Sequence, residues 1–264
     1  MALSGKKALC LITGASQGIG REIAAQLAAL VAANSTFILT ARQQDKLDET
    51  ADLIKQVNSG ATVKTIACDL IKIESHLSDF TIALQDALKE AIEVSVIVHN
   101  AGSIGDVQRR ARDAKDGDDL RAYLNINVVS MALLNSTVLN VLCSDAVKLR
   151  IVVNITSLLA IKGFPSFGYY ATGKAAREGL MRVLASEEQD LRVLNYSPGP
   201  VETNMVRQIA TDSYDEGIRQ TFQNKTGSDV SRAMLKPETT VKKLMKVLDE
   251  NQFESGTRTD YFDD

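Results

Sequence analysis

The chain has 264 residues, 45% of them hydrophobic and 24% charged, with a formal net charge of -3. That apolar fraction suffices for a substantial core, and the small, interspersed charge gives no basic footprint for nucleic acid or an anionic membrane. Cys10, Cys68 and Cys143 are odd in number and widely spaced in apolar context, which predicts buried free thiols rather than a disulfide framework; His76 and His99 fall on separate elements, which leaves no metal constellation.

The N-terminal stretch MALSGKKALCLITG lacks a signal-peptide layout, and no apolar run approaches membrane-spanning length. The expectation is a cytoplasmic protein with a small-molecule partner.

Ala8 to Ile12 reads as a short buried strand, followed at once by Thr13-Gly14-Ala15-Ser16-Gln17-Gly18-Ile19-Gly20 and an amphipathic helix carrying Ile23, Leu27, Leu30 and Val31. Glycines spaced GxxxGxG between a strand and a helix fit a dinucleotide loop, because they permit a tight turn and bring phosphate to a helix N-terminus. A second strand, Thr36 to Thr40, ends at Ala41-Arg42. A cofactor without a 2′-phosphate would meet an acid here; Arg42 suits the phosphate, so NADPH is expected over NADH.

A helix from Asp45 to Val57 and a strand from Val63 to Ala67 lead to Asp69-Leu70, whose carboxylate sits at a strand end, in reach of an adenine amino group. A helix from about Ser75 to Ala91 and a strand from Val94 to Val98 run into Asn100-Ala101-Gly102, where small residues allow close backbone approach to a flat ring. Ser103 to Asp116 reads as a loop. A long helix, about Asp118 to Cys143, carries Asn127 among apolar neighbours, either as a satisfied buried amide or as part of a proton path.

Ile151 to Ile155 is a β-branched strand with Ser157 just past its C-terminal end, the position where open α/β sheets bind ligands. A Gly/Pro-punctuated loop then gives way to a helix, Tyr169 to Glu188, whose first turn carries Tyr170 and Lys174 at i and i+4. On one helix face, the ammonium would favour the phenolate and bring an otherwise idle tyrosine into use as a general acid. Tyr169 competes for the role, but its own i+4 partner is Gly173.

Leu191 to Tyr196 is a further strand, ending at Ser197-Pro198-Gly199-Pro200. Residues 201–236, with Val201, Thr203 and Met205 at their start, are expected to form a mobile lid. A helix from Pro237 to Leu248 and a final short strand in a tail of about 255–264 complete one domain, 1–264, with no internal repeat.

With these residues located, the chain resembles the short-chain dehydrogenase/reductase family. The match rests on TGASQGIG at Thr13 to Gly20, NAG at Asn100 to Gly102, Asn127, Ser157, YxxxK at Tyr170 to Lys174 and PGP at Pro198 to Pro200. The strings NAGSIGDV, VVNITSLLA, GKAAR, RVLNYSPGPVET and ESGTRTDYFD further resemble the family's pterin-reducing members.

The resemblance implies a Rossmann-type, doubly wound parallel sheet with helices on both faces, a homodimer through the two long helices, and NADPH-dependent reduction of pterin side-chain carbonyls. It implies that Ser157 holds the carbonyl oxygen, Tyr170 gives the proton, Lys174 binds the nicotinamide ribose, and Asn127 anchors a relay water. The cofactor would lie along Gly14 to Gly20, Arg42, Asp69, Leu70, Asn100 to Gly102, Tyr170, Lys174, Val201, Thr203 and Met205. Substrate would meet Ser157, Tyr170, Gly199 and Asp260, whose carboxylate would grip adjacent ring N–H donors. Gln17 departs from the basic residue often found at its position, so the cofactor preference rests on Arg42. A broader carbonyl, dicarbonyl or quinone reductase is the alternative, and a non-catalytic NADPH sensor a third reading.

Overall fold

The computed structural model describes residues 1–114, 117–143, 145–225 and 234–263. Short apolar runs alternate with amphipathic helices, and the order follows from that alternation: β1 (Ala8–Thr13), α1 (Gly18–Leu30), β2 (Thr36–Ala41), α2 (Gln44–Val57), β3 (Thr62–Ala67), α3 (Leu77–Ala87) and β4 (Val94–His99). After them come α4 (Gly117–Leu124), α5 (Ser130–Val141), β5 (Leu149–Ile155), α6 (Gly168–Glu187), β6 (Leu191–Ser197), α7 (Asn204–Asp212), α8 (Glu216–Lys225), α9 (Pro237–Glu250) and β7 (Arg258–Asp260).

All strand pairs are parallel, in the order β3-β2-β1-β4-β5-β6-β7, so the chain reverses its winding between β1 and β4. A parallel sheet must be covered on both faces, and the period of two along each strand serves both. Cys10 and Ile12 pack with Ile23, Leu27 and Leu244 from α1 and α9. Leu9 and Leu11 belong to the opposite layer, with Phe80, Leu134 and Met181 from α3, α5 and α6. Each such aliphatic burial stabilises by about 1.5–3 kcal/mol before entropy is counted. The doubly wound parallel architecture is as expected.

Several local expectations need correction. The helix expected from Ser75 to Ala91 is shorter, because a tight turn at Leu70–His76, capped where the Ile71 amide donates to Asp69, precedes α3 and kinks at Lys72. The loop ahead of α4 contains one 3-10 turn, Ala111–Asp113. The long helix is interrupted by a π-turn at Asn125–Val129. The whole helical run, Gly117–Val141, is long and apolar enough to cross a bilayer, contrary to expectation; here Met131, Leu134 and Val138 pack it into the second core layer. Cys10 and Cys68 are buried, whereas Cys143, just past the end of α5, is exposed.

Candidate active site

The switch in winding opens a cleft of about 800 Å³ over the C-terminal ends of the strands. On its cofactor side, the loop after β1 turns through positive φ at Gly14 (+67°) and Gly18 (+55°), which only glycine adopts without strain. A Cβ at Gly20 would lie 2.2 Å from the Gly14 carbonyl oxygen, so glycine is required there for close packing. Asn100 Nδ2 donates to the carbonyls of Thr13 and Gly14, and the Asn100 and Ala101 amides donate to Thr13 Oγ1.

The first turn of α1 therefore faces the cleft from a rigid loop, with no side-chain cap on its N-terminus and no acid in that turn. Free backbone N–H groups at a helix start are what a pyrophosphate needs. Gly14, Ser16, Gln17, Gly18, Ile19, Arg42, Asp69, Leu70, Asn100, Ala101 and Gly102 line the cleft, as do Gly199, Val201, Thr203 and Met205. Two residues expected to touch cofactor do not line it. Ala15 is fully buried, with its amide donated to Thr40, and Gly20 is buried behind the loop.

Arg42 is exposed at the cleft edge. Arg21, a second cation near the loop, is committed to Glu49, Thr50 and the Ser16 carbonyl. Gln17 accepts a hydrogen bond from Asn204 Nδ2 at 3.2 Å, which joins the glycine loop to α7.

On the chemical side, Ser157, Tyr170 and Lys174 line the same cleft. Ser157 follows β5 in extended conformation, and its Oγ accepts from the Leu159 amide at 3.3 Å. The Ser157 hydroxyl lies near enough to the Tyr170 phenol to act on it, drawing its pKa down.

Lys174 behaves differently from expectation. Its Nζ lies 5.4 Å from the centroid of the Tyr170 ring but donates to the Ile155 carbonyl at 2.6 Å, and the residue is 5% exposed. Burial, followed by repulsion from Arg177, pushes its pKa well down. The Tyr170 phenol is pushed up to about 12, because burial outweighs the Ser157 hydrogen bond and the attraction of Arg177. The lysine is adjacent, as i,i+4 spacing dictates, but the cation that lowers the phenol is Arg177.

Arg177 is the residue that motif reading missed. It is 1% exposed and donates from Nε to Asn154 Oδ1 (2.8 Å), from Nη1 to the Ala101 carbonyl (2.9 Å) and from Nη2 to the His99 carbonyl (2.5 Å). It thereby ties the catalytic helix α6 to the NAG segment. A signal was present: Tyr170, Lys174, Arg177 and Met181 recur at i, i+4, i+7 and i+11, which puts a guanidinium on the inward stripe. His99 beside it is fully buried, bonded to Asn135, and held down to about 4 by burial and by Arg177.

Asn127, in the π-turn, does not line the cleft. Its Nδ2 donates to the Tyr123 carbonyl at 2.9 Å and its Oδ1 accepts from the Ser103 amide at 2.8 Å. Of the two readings left open, the structure shows the satisfied buried amide; only the main chain of Asn127 remains for a relay.

The substrate side is walled by Leu159, Phe164, Phe167, Ile209 and Phe222, with Asp260 and Phe262 from the tail. In the segment expected to be a lid, α7 and α8 cover this end, clasped to the catalytic loop where the Ser166 and Ser213 hydroxyls meet at 2.5 Å. Within that segment residues 226–233 lie outside the described residues, as does Asp264 of the tail. Among the described residues no group of His, Cys, Asp or Glu could hold a metal.

A single parallel sheet, a glycine-rich phosphate loop and a Ser-Tyr-Lys cluster at its C-terminal edge define a nicotinamide-type oxidoreductase. The chain belongs to the short-chain dehydrogenases, whose family model matches residues 8–213. It is 34% identical over 257 residues to sepiapterin reductase of Meriones unguiculatus, covering 97% of both chains. It is 24% identical over 253 residues to benzil reductase of Bacillus cereus, covering 93% of this chain and 96% of that one. A solved short-chain dehydrogenase from Shigella flexneri, complexed with NADP, superposes with a TM-score of 0.76 at 26% identity, covering 98% of each chain.

Proposed function

We propose that the protein is an NADPH-dependent reductase of pterin side-chain carbonyls, acting as sepiapterin reductase does. The observation that carries this reading is Asp260: a carboxylate held on a strand of the main sheet, in one cleft with Ser157 and Tyr170. Adjacent N–H donors on an amino-pyrimidine edge fit such a carboxylate in bidentate fashion. The similarity to sepiapterin reductase over nearly the whole chain supports it.

NADPH, when bound, supplies the hydride. The α1 N-terminus would hold its pyrophosphate, Arg42 its 2′-phosphate and Asp69 its adenine amino group, while Lys174 would hold the nicotinamide ribose. Ser157 would then fix the carbonyl oxygen and Tyr170 would donate its phenolic proton to the forming alkoxide. Because the phenol is pushed up to about 12, it stays protonated at neutral pH, the form that reduction needs. Asn127 would serve the proton relay through its main chain. Of the segment expected as a lid, α7 and α8 would close over substrate, and the exposed Leu180 and Val183 on α6 would pair two subunits as a cytoplasmic homodimer.

The apolar wall of Phe164, Phe167 and Phe222 favours one second reading, a reductase of aryl or small dicarbonyls. Loss of NADPH absorbance with sepiapterin and with diacetyl, for the wild type and Asp260→Ala, separates the two. Selective loss of sepiapterin turnover in the variant is expected; equal turnover of sepiapterin by both proteins would refute the pterin reading.

A further inference from the structure

The tail that carries Asp260 adds only a three-residue strand, β7, which pairs with β6 along one edge; main-chain bonds from Gly256 to Val193 and from Tyr261 to Ser197 flank it. Arg258 sits two residues before Asp260, in register with Asn195, Asn154 and His99 across the sheet. Each of those three polar residues is buried, and Asn154 Nδ2 donates to Asn195 Oδ1 at 2.8 Å. Arg258 ends this row on the edge strand of the sheet.

Its guanidinium is shared among three acceptors. Nη1 donates to the Ser157 carbonyl at 2.7 Å and to Glu178 Oε1 at 2.8 Å, and Nη2 lies 3.4 Å from Asp260 Oδ2. Glu178 is a buried carboxylate on the catalytic helix, and its Oε1 also accepts from Thr156 Oγ1 at 2.6 Å, while Arg182 lies 3.6 Å from Oε2. Asp260 Oδ1 accepts from the Phe262 amide. One rigid planar group therefore connects the main chain of Ser157, the helix of Tyr170 and the carboxylate of the tail.

We propose that Arg258 is a positioning residue that sets the separation between the Ser157 hydroxyl and the Asp260 carboxylate, and so selects ring substrates long enough to engage both. The inference rests on Asp260 as the substrate anchor. A guanidinium fork holds fixed directions, whereas a lysine ammonium is a point charge on a flexible stem. A substrate gripped at one end and reacted at the other is sensitive to that separation, since a displacement of about 1 Å at a reacting centre can cost on the order of 10²-fold in rate. A small dicarbonyl, which meets only Ser157 and Tyr170, does not measure the distance.

The test uses Arg258→Lys, which keeps a cation beside the buried Glu178, together with Arg258→Met, both saturated with NADPH. The ratio of kcat/KM for sepiapterin to that for diacetyl is expected to fall about tenfold in Arg258→Lys, with the sepiapterin KM rising. Amide exchange of the 255–263 segment is expected to accelerate about tenfold alongside it. An unchanged ratio, or a lowered ratio with unaltered tail exchange, would overturn the proposal. Should Asp260→Ala leave the sepiapterin rate intact, the anchor reading fails by itself. The tail exchange then still decides whether Arg258 holds β7: acceleration sustains that part and wild-type rates overturn it. Arg258→Met, if it folds, should lower the ratio at least as far.

Discussion

Replacing Arg177 by methionine keeps the length of the side chain and removes its charge and all three donors. The His99 and Ala101 carbonyls and Asn154 Oδ1 would then lose this partner in a region where the side chain is 1% exposed. An orphaned buried acceptor costs about 1–3 kcal/mol, and breaking a buried charged network about 3–5 kcal/mol in total, because the individual losses overlap. A cost of about 4 kcal/mol is a large share of the ~5–15 kcal/mol that stabilises a typical domain. At roughly 2–4 °C per kcal/mol for a chain of this size, Tm should fall by about 8–16 °C in a thermal scan followed by circular dichroism. Arg177→Lys should recover only part of the loss, since one ammonium cannot serve two carbonyls and an amide in different directions. A Tm within about 2 °C of wild type for Arg177→Met would refute the assignment of Arg177 as the tie between α6 and the NAG segment.

Tyr170→Phe should lower turnover of any carbonyl substrate by ~10²–10⁴, and activity near wild type would remove the tyrosine from the mechanism. In the wild type, the raised phenol predicts that kcat shows no fall from loss of the Tyr170 proton between about pH 7 and 10; a drop below pH 9 that Tyr170→Phe abolishes would contradict it. Arg42→Ala should shift the NADPH to NADH preference, measured as a kcat/KM ratio, by about tenfold toward NADH, the low end for an exposed charge-assisted contact. His99, held near 4 against an ordinary 6.5, contributes stability that is present above pH 6.5 and lost as pH falls toward 4. That amounts to about 3 kcal/mol in urea titrations, and His99→Gln should flatten that slope.

The glycine loop, the NAG segment and YxxxK were legible because each is a local pattern whose chemistry needs residues a few positions apart. The sheet was legible for a related reason: β-branched runs such as Val94 to Val98 and Ile151 to Ile155 lie between amphipathic helices, an alternation that winds in one way. What stayed hidden depends on register between distant strands. Nothing near Arg258 in the chain indicates that it aligns with Asn195, Asn154 and His99, or that it reaches Glu178 on α6. The acidity of Tyr170 was misjudged because spacing supplies a neighbouring cation but not the competing Ile155 carbonyl that captures it. Cys143 was misplaced for a similar reason: its apolar neighbours pack inward at the helix end while the thiol faces out.

The π-turn at Asn125–Val129 accommodates one residue more than a regular helix would, while leaving the inward faces of α4 and α5 in phase on either side. Excising a single residue there would let the backbone relax into an uninterrupted α-helix with Tyr123 and Leu134 still facing the interior. What would vanish is the offset that aims the Asn127 carboxamide at the Ser103 amide. The surplus residue thus pins the segment after Asn100-Ala101-Gly102 to the helix beneath it, and a shortened variant should melt at a lower temperature because the Ser103 amide loses its acceptor.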